Sequence, residues 1–369
     1  MNTQTQSFST TIKFFIAFAA AAITLLAINQ GRELINSLIL GAIVVVSFTP
    51  LMYWLRDKTT TWLAYALTLL VILLVLIGLV AFLIVAANRF AEALPKYSAQ
   101  LDDMLLSVQE FLKSLGIDRI DLQEITEVLD PGKILQFTGG FLSGLVGAFS
   151  NFALVALIII FLLLDTLSLP QKIAPHIQLG NSTVERIYNF GRNVRSYMLI
   201  TTIVGMVTGV MDTGLFIIMG VDFPILWGFL AFLLSYIPSI GFWLALIPPV
   251  FLALLESGWP AAIIVFLGIV IINGFAENVV KPKYMGENLD MSPFTVVFSV
   301  IFWSAILGPL GAILSVPITM AFKELLLEPD PANRWVADIM STSDEDQIRA
   351  RQEAAMAAAG QVPEPEEEE

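Results

Sequence analysis

The sequence predicts an all-α protein that crosses a membrane several times. Its 369 residues are 57% hydrophobic and only 14% charged, with a mean hydropathy of +0.80, whereas soluble domains are about 45–50% apolar and about one quarter charged. Eight long uncharged runs separate the charged residues. Seven of them reach the roughly 18 residues that a helix needs to cross a hydrocarbon core about 30 Å thick. This composition excludes a soluble enzyme and a nucleic-acid-binding protein.

Two long uncharged runs in the C-terminal half are interrupted by turns that contain glycine and proline. Run 223–255 contains Tyr-Ile-Pro-Ser-Ile-Gly at 236–241, and run 291–322 contains Gly-Pro-Leu-Gly at 308–311. A single helix over the first run would be about 50 Å long, which is too long for one upright span and too short for two complete spans. Each run therefore predicts a re-entrant helical hairpin.

The charges between these runs predict that the two hairpins have opposite orientations. Lys281 and Lys283 lie in the cytoplasm, as the positive-inside rule requires, only if the first hairpin enters from outside and the second from inside. Interrupted segments that enter from opposite faces are typical of secondary transporters, in which the substrate site lies between them. Two ordinary pairs of proline-kinked helices are the alternative interpretation.

The distribution of charge gives the domain organisation. Residues 88–136 carry a net charge of −4 and those from Glu328 onward −9, which accounts for the whole net charge of −13. Lysines and arginines place both termini in the cytoplasm and 88–136 outside. We expect spans one to three in 1–87, an extracytoplasmic helical segment in 88–137, a fourth span in 138–165, a cytoplasmic amphipathic segment in 166–197, a transport region in 198–327 and an acidic, disordered cytoplasmic tail in 328–369. The transport region comprises a fifth span, a hairpin at 223–256, a span at 257–279 and a hairpin at 291–326.

Several motifs in the C-terminal half resemble those of the autoinducer-2 exporter (AI-2E) family. They are Pro224-Ile-Leu-Trp-Gly228, Tyr236-Ile-Pro-Ser-Ile-Gly241, Ile247-Pro-Pro249, Leu254-Leu255, Asn278-Val-Val-Lys-Pro282-Lys-Tyr-Met285-Gly286, Met291-Ser-Pro293, Gly308-Pro-Leu-Gly311 and Ser315-Val-Pro317. Together they cover about 224–326, and spans one to four match only in layout.

The resemblance implies a bacterial inner-membrane transporter that forms a homo-oligomer, for instance a pentamer, and works by an elevator-like movement of the hairpin region. Solutes attributed to the family include a furanone-type quorum signal. Some relatives are assigned sodium/proton antiport instead, so the resemblance leaves the substrate open.

The hairpin turns and the span between them supply the candidate substrate-binding residues. Broken helix ends leave backbone amides and carbonyls free to hold a small polar solute, and glycine lets the backbone approach it closely. Asparagine amides both donate and accept hydrogen bonds. The candidates are Pro238, Ser239, Gly241, Asn273, Asn278, Gly308, Pro309 and Gly311. The alternative role of the glycines and prolines is to form the turns alone.

Asp212 is the first of two candidate ion-coupling residues. A charge at mid-membrane costs about 2.5–3.5 kcal/mol or more unless it is satisfied. Asp212 shares a helix face with Thr201, Gly205 and Thr208, and small or hydroxylated residues are typical of faces that contact another helix. Burial there would favour binding of a proton or a cation. A position near the outer end of the span, in contact with water, is the alternative.

Glu277 is the second candidate ion-coupling residue. It lies four residues after Asn273, on the same helix face. Glu277 either takes part in transport or forms an ion pair with Lys281, four residues later.

Other classes of function find little support. The chain has no cysteine, one histidine (His176) and no nucleotide-binding loop, so we expect no catalytic residue, metal site or cofactor. The expected partners are the lipid bilayer and a small polar solute, a cation or a proton. The leading hypothesis is a secondary-active exporter of a small polar solute. A Na⁺(Li⁺)/H⁺ antiporter that uses Asp212 and Glu277 is the alternative, and a membrane scaffold that does not transport is a second one.

Overall fold

The computed structural model describes residues 9–114, 151–178, 182–281 and 291–342, with the short stretches 139–140, 143–144 and 147. All regular structure in these residues is helical. The helices are α1 (Thr10–Gln30), α2 (Arg32–Arg56), α3 (Thr61–Ser114), α4 (Phe152–Gln178), α5 (Ser182–Met219), α6 (Pro224–Leu234), α7 (Ile240–Ser257), α8 (Trp259–Phe275), α9 (Pro293–Leu307), α10 (Pro309–Phe322) and α11 (Arg334–Met340). Single π-helical turns, Ala276–Val280 and Lys323–Leu327, extend α8 and α10.

Six of the described helices are long and apolar enough to cross a membrane: α2, α3, α5, α7, α8 and α10, the last two with their π turns. Large apolar side chains point outward from the bundle, among them Phe18, Leu74 and Ile218, which are 65%, 60% and 83% exposed. Apolar surface of this extent is unfavourable in water and is the surface that lipid covers. The prediction of an all-α, multi-pass membrane protein is confirmed.

Two of the predicted aqueous segments continue directly from membrane helices. Helix α3 passes through position 88 without a break and has 54 residues, a length of about 80 Å. No glycine lies between residues 79 and 114 to end it. Helix α5 likewise begins at Ser182, within the predicted amphipathic segment 166–197, and continues without a break into the fifth span. Residues 115–137, most of 138–150 at the start of the predicted fourth span, and the tail beyond 342 lie outside the described residues. The domain boundaries stay predictions.

A proline in the first turn begins four helices: Pro224 in α6, Pro260 in α8, Pro293 in α9 and Pro309 in α10. Proline suits this position because the first N–H groups of a helix lack helical partners and the ring presets a helical φ. Gly258 and Gly308, directly before α8 and α10, have φ of 80° and 75°, a region that glycine enters without steric cost. The chain turns at these points, and α8 packs against α7 and α10 against α9.

Helices α6 and α7 form hairpin 1, and α9 and α10 form hairpin 2. The open ends of the two hairpins lie at opposite ends of α5. Asn193, near the beginning of α5, donates to Glu324, just after α10, at 3.2 Å, whereas hairpin 1 follows the last residues of α5. The arms of hairpin 1 are unequal, with 11 and 18 residues. That the hairpins are re-entrant in a membrane stays a prediction.

Aromatic contacts position hairpin 1 against α3. The rings of Phe82 and Phe229 lie 4.5 Å apart, and those of Phe90 and Trp227 meet edge to face at 5.4 Å. Trp227 is buried, and its indole N–H donates to the Asp222 carbonyl at 3.0 Å. Large aromatic side chains contribute much of the buried area in such contacts. The first arm of hairpin 1 is therefore packed between α3 and α5.

Candidate functional site

A cavity of about 420 Å³ lies between α5, the turn of hairpin 1, α8 and the first turns of α9. Hairpin 1 and α8 provide most of its apolar lining. The polar residues on its wall are Tyr197, Thr201, Thr208, Asp212, Ser235, Ser239, Asn273, Glu277 and Lys281. Six of the ten predicted site residues border it: Asp212, Pro238, Ser239, Gly241, Asn273 and Glu277. This cavity is the candidate functional site.

Helix α5 contributes a buried acidic group to the cavity. Asp212 is 2% exposed, and its Oδ1 has no hydrogen-bond partner. Thr201 and Thr208, which were predicted to share its helix face, border the same cavity. Asp212 therefore lies inside the protein and not in water at the end of a span. Its role in ion coupling stays a prediction.

Close approach of α5 and α6 sets the position of this helix face. A Cβ added to Gly209 would clash with the Gly228 carbonyl, and one added to Gly205 would clash with the Ser235 hydroxyl. Membrane helices approach to backbone distance only where the residues between them are small. The two glycines thus fix the separation between α5, which carries Asp212, and hairpin 1.

The turn of hairpin 1 brings Pro238, Ser239 and Gly241 to the cavity. Ser239 is exposed and has a φ of 62°, which is uncommon for a residue with a Cβ. Gly241 is required at its position because a Cβ would overlap the Leu234 carbonyl. The hydroxyls of Tyr236 and Thr202 lie 2.6 Å apart and tie the turn to α5.

Helix α8 and its π turn bring Asn273 and Glu277 to the cavity, but not Asn278. Glu277 forms an ion pair with Lys281, the alternative role considered for it. Asn278 is exposed, and its Nδ2 donates to the Gly274 carbonyl at 2.8 Å. A π turn inserts one extra residue into the helical repeat and shifts the faces that follow it. The predicted role of Asn278 in binding gains no support from its position.

The turn of hairpin 2 does not border this cavity, so Gly308, Pro309 and Gly311 lie apart from the other candidates. Two asparagines hold this turn instead. Asn29 Nδ2 donates to the Ile306 carbonyl at 2.8 Å, and Asn36 Nδ2 donates to the Leu307 carbonyl at 2.9 Å. These bonds satisfy carbonyls at the end of α9, which have no partner within the helix. Sequence reasoning missed both residues. Their position on either side of Arg32 and Glu33, between two long uncharged runs, could have drawn attention to them.

A second polar cluster, also missed, joins α3 to the open end of hairpin 1. Asp222 Oδ2 accepts from Lys96 Nζ at 2.7 Å and from the Tyr97 hydroxyl at 2.9 Å, and Glu256 lies 3.8 Å from Lys96. A hydrogen bond with the Glu256 side chain, followed by those with Lys96 and Tyr97, holds the pKa of Asp222 below its usual value. We name Lys96, Tyr97, Asp222 and Glu256 the open-end cluster.

The arrangement suits binding more than chemistry. The cavity wall offers hydroxyls, an amide and carboxylates within an apolar surround, which is the usual composition of a small-molecule site. In the described part of the chain, no three His, Cys, Asp or Glu side chains come close enough to hold a metal ion. His176 lies in α4, the helix before the one that carries Asp212.

Comparison with known proteins places the chain in a family. The sequence profile of the AI-2E family transporters matches residues 12–328. The chain belongs to the AI-2E transporter family. The "AI-2 transport protein TqsA" of Escherichia coli K12 is 30% identical over 335 residues, which cover 89% of this chain and 96% of TqsA. The family assignment predicted from the hairpin motifs is confirmed.

Other relatives of this AI-2E transporter match over similar lengths. The "Putative transport protein YhhT" of E. coli K12 is 28% identical over 315 residues, 85% of this chain and 90% of YhhT. A Haemophilus influenzae protein with the same general designation is 30% identical over 328 residues, 86% of this chain and 92% of its own length. The chain is a multi-pass membrane transporter with bacterial relatives.

Proposed function

We propose that this AI-2E family transporter exports a small polar solute by secondary-active transport and binds it in the cavity between α5, hairpin 1 and α8. The observation that carries the proposal is that six residues chosen from sequence, on three separate elements, border one cavity. Its volume of about 420 Å³ lies within the range of roughly 300–1,000 Å³ found for small-molecule sites. The family assignment supports a role for this cavity in transport.

The lining favours a solute with hydrogen-bonding groups on a compact body. Ser239 and Asn273 supply a hydroxyl and an amide, and Phe242 and Trp243 supply apolar walls. Amide and hydroxyl groups can each donate and accept, so they suit hydroxyls on a solute. Because a relative is named as an AI-2 transport protein, autoinducer-2 is the first solute to test.

The transport cycle that we propose is an elevator-like movement of the hairpin region in a bacterial inner membrane. The chain would act as a homo-oligomer with both termini in the cytoplasm and both hairpins re-entrant. Polar contacts of Asn29, Asn36 and Lys96 join α1–α3 to the hairpins. Such contacts can break and re-form during a movement at a lower cost than packed apolar surfaces, since water or other polar groups can replace them.

Solute flux into proteoliposomes tests this function. We expect the purified protein to transport autoinducer-2, or another small polar solute from a panel, and Asn273→Ala and Ser239→Ala each to lower the flux about tenfold, the effect of losing roughly one hydrogen bond to the solute. Asn151→Ala is the matched control, because Asn151 is an asparagine remote from the cavity that contacts Glu33. Wild-type flux in both cavity variants would overturn the proposed site, and Na⁺/H⁺ exchange without any solute flux would favour the antiporter.

A further inference from the structure

Asp212 is a buried carboxylate without a partner on a cavity wall. It is 2% exposed, its Oδ1 accepts no hydrogen bond, and it borders the cavity of the proposed function. Two threonines close to Asp212 in sequence on α5 donate their hydroxyls to backbone carbonyls. Thr208 Oγ1 donates to the Val204 carbonyl at 3.0 Å, and Thr213 Oγ1 donates to the Gly209 carbonyl at 2.7 Å. The carboxylate is therefore satisfied by neither of them.

The charges around the cavity leave Asp212 uncompensated. Besides Asp212, the titratable residues on the wall are Tyr197 on α5 and Glu277 and Lys281 at the end of α8. Tyr236, on hairpin 1, directs its hydroxyl to Thr202. Lys281, the one cation among the described lining residues, is paired with Glu277. No basic side chain on the wall is thus available to neutralise Asp212.

A buried charge of this kind must be neutralised or exposed to water. Burying an unpaired carboxylate costs far more free energy than burying the neutral acid. A metal cation in a protein takes several oxygen ligands, whereas a proton needs only one carboxylate oxygen. Oδ1 of Asp212 is such an oxygen, buried and without a hydrogen-bond partner. The observed geometry therefore supplies what a proton needs.

We propose that Asp212 is the proton-binding site of the transport cycle. This inference rests on the proposed function of the cavity. When the cavity is closed to water, the carboxylate holds a proton that it took up from one side. When the cavity opens to the other side, water solvates the carboxylate and the proton leaves. Binding and release of one proton per cycle couples solute movement to the proton gradient. No other covalent bond of the protein changes.

Infrared difference spectroscopy on the full-length protein in lipid nanodiscs tests the site directly. We expect a protonated carboxyl C=O band that persists at a pH at which free aspartate is ionised. The band should be absent in Asp212→Asn and unchanged in Asp165→Asn, an exposed aspartate of α4. A spectrum of Asp212→Asn identical to that of wild type would overturn the proposal. Loss of the band when NaCl replaces choline chloride at constant pH would assign the site to a metal cation and also overturn it.

A transport assay separates proton coupling from solute binding. Asp212→Asn can neither bind nor release a proton, so we expect it to lose accumulation of autoinducer-2 driven by an imposed pH gradient. The control Asp165→Asn should accumulate the solute at a rate within about twofold of wild type. Gradient-driven accumulation by Asp212→Asn would contradict the assignment. If Asn273→Ala and Ser239→Ala transport normally while the infrared band persists, the proposed solute site fails and the proton site stands.

Discussion

Asp222 and Glu256 join the two ends of hairpin 1: the backbone N–H of Asp222 donates to Glu256 Oε2 at 3.2 Å. Asp222 precedes α6 and Glu256 lies in the last turn of α7, so this bond closes the open end of the hairpin. Lys96 and Tyr97 of α3 contact both carboxyl groups. The open-end cluster therefore ties hairpin 1 to the long helix α3 at a point remote in sequence from both arms.

Asp222 of the open-end cluster predicts a loss of stability in acid. Because the pKa of Asp222 lies below its ordinary value of 3.8, its stabilising contribution is complete above that value and disappears as the pH falls through the lowered pKa. The contribution is about 1 kcal/mol or less, since Lys96 and Asp222 are both partly exposed. Thermal unfolding in detergent between about pH 2 and pH 5 should show a smaller decline for Asp222→Asn than for wild type. The control Asp165→Asn should decline as wild type does, and an equal decline in all three proteins would contradict the prediction.

Gly209 and Gly214 lie on the same helix, but substitution by alanine should affect the stability of the protein differently at the two positions. A Cβ at Gly209 would clash with the Gly228 carbonyl, whereas nothing lies within 4 Å of a Cβ at Gly214. We expect Gly209→Ala to lower the free energy of unfolding by about 1–3 kcal/mol through overpacking. Gly214→Ala should leave it unchanged or raise it by up to about 1 kcal/mol, because alanine is the better helix former. Equal unfolding curves for the two variants in detergent would show that α5 and α6 are not in close contact.

Replacement of Asn36 by aspartate should cost more stability than replacement by leucine. Asn36 Nδ2 donates to the Leu307 carbonyl, and its Oδ1 is buried without a partner. Leucine removes the unsatisfied oxygen but leaves the Leu307 carbonyl without this donor, so the cost should be about 1–3 kcal/mol. Aspartate also removes the donor and adds a charge beside the carbonyl, so the cost should be about 3 kcal/mol or more.

Asn151→Asp is the matched control for the Asn36 pair. Asn151 contacts the Glu33 carboxylate at 3.3 Å in an exposed position, where a repulsive charge pair costs about 1 kcal/mol or less. Denaturant unfolding in detergent measures all three variants. If Asn36→Asp were no less stable than Asn36→Leu, Asn36 would not hold the turn of hairpin 2.

Sequence reasoning succeeded where the signal was local. The turns at 236–239 and at Gly308 are visible as glycine and proline within long uncharged runs, and the structure reverses the chain at both. The burial of Asp212 was visible in the small and hydroxylated residues on its helix face. Neither inference needed knowledge of how distant helices pack.

Sequence reasoning failed where distant residues decide the geometry. The turn at Gly308 lies away from the cavity and is held by Asn29 and Asn36, whose bonded partners are 277 and 271 positions away. The contact of Lys96 with Asp222 spans 126 positions. Asn278 was expected in the site because it belongs to a motif of the resembling family and carries an amide, but it lies in the π turn Ala276–Val280 and does not border the cavity. Apolar periodicity contains no information about such contacts.

Cysteine modification at Thr208 tests most directly whether solute passes through the cavity. The natural chain has no cysteine, so Thr208→Cys introduces a unique thiol on the cavity wall. Val210→Cys, two residues along α5 and 68% exposed on the outside of the bundle, is the control. We expect a small, charged thiol reagent to modify Thr208→Cys and to lower autoinducer-2 flux at least about tenfold, with no effect on Val210→Cys. Full modification of Thr208→Cys with undiminished flux, or a thiol that the reagent never reaches during turnover, would contradict the account.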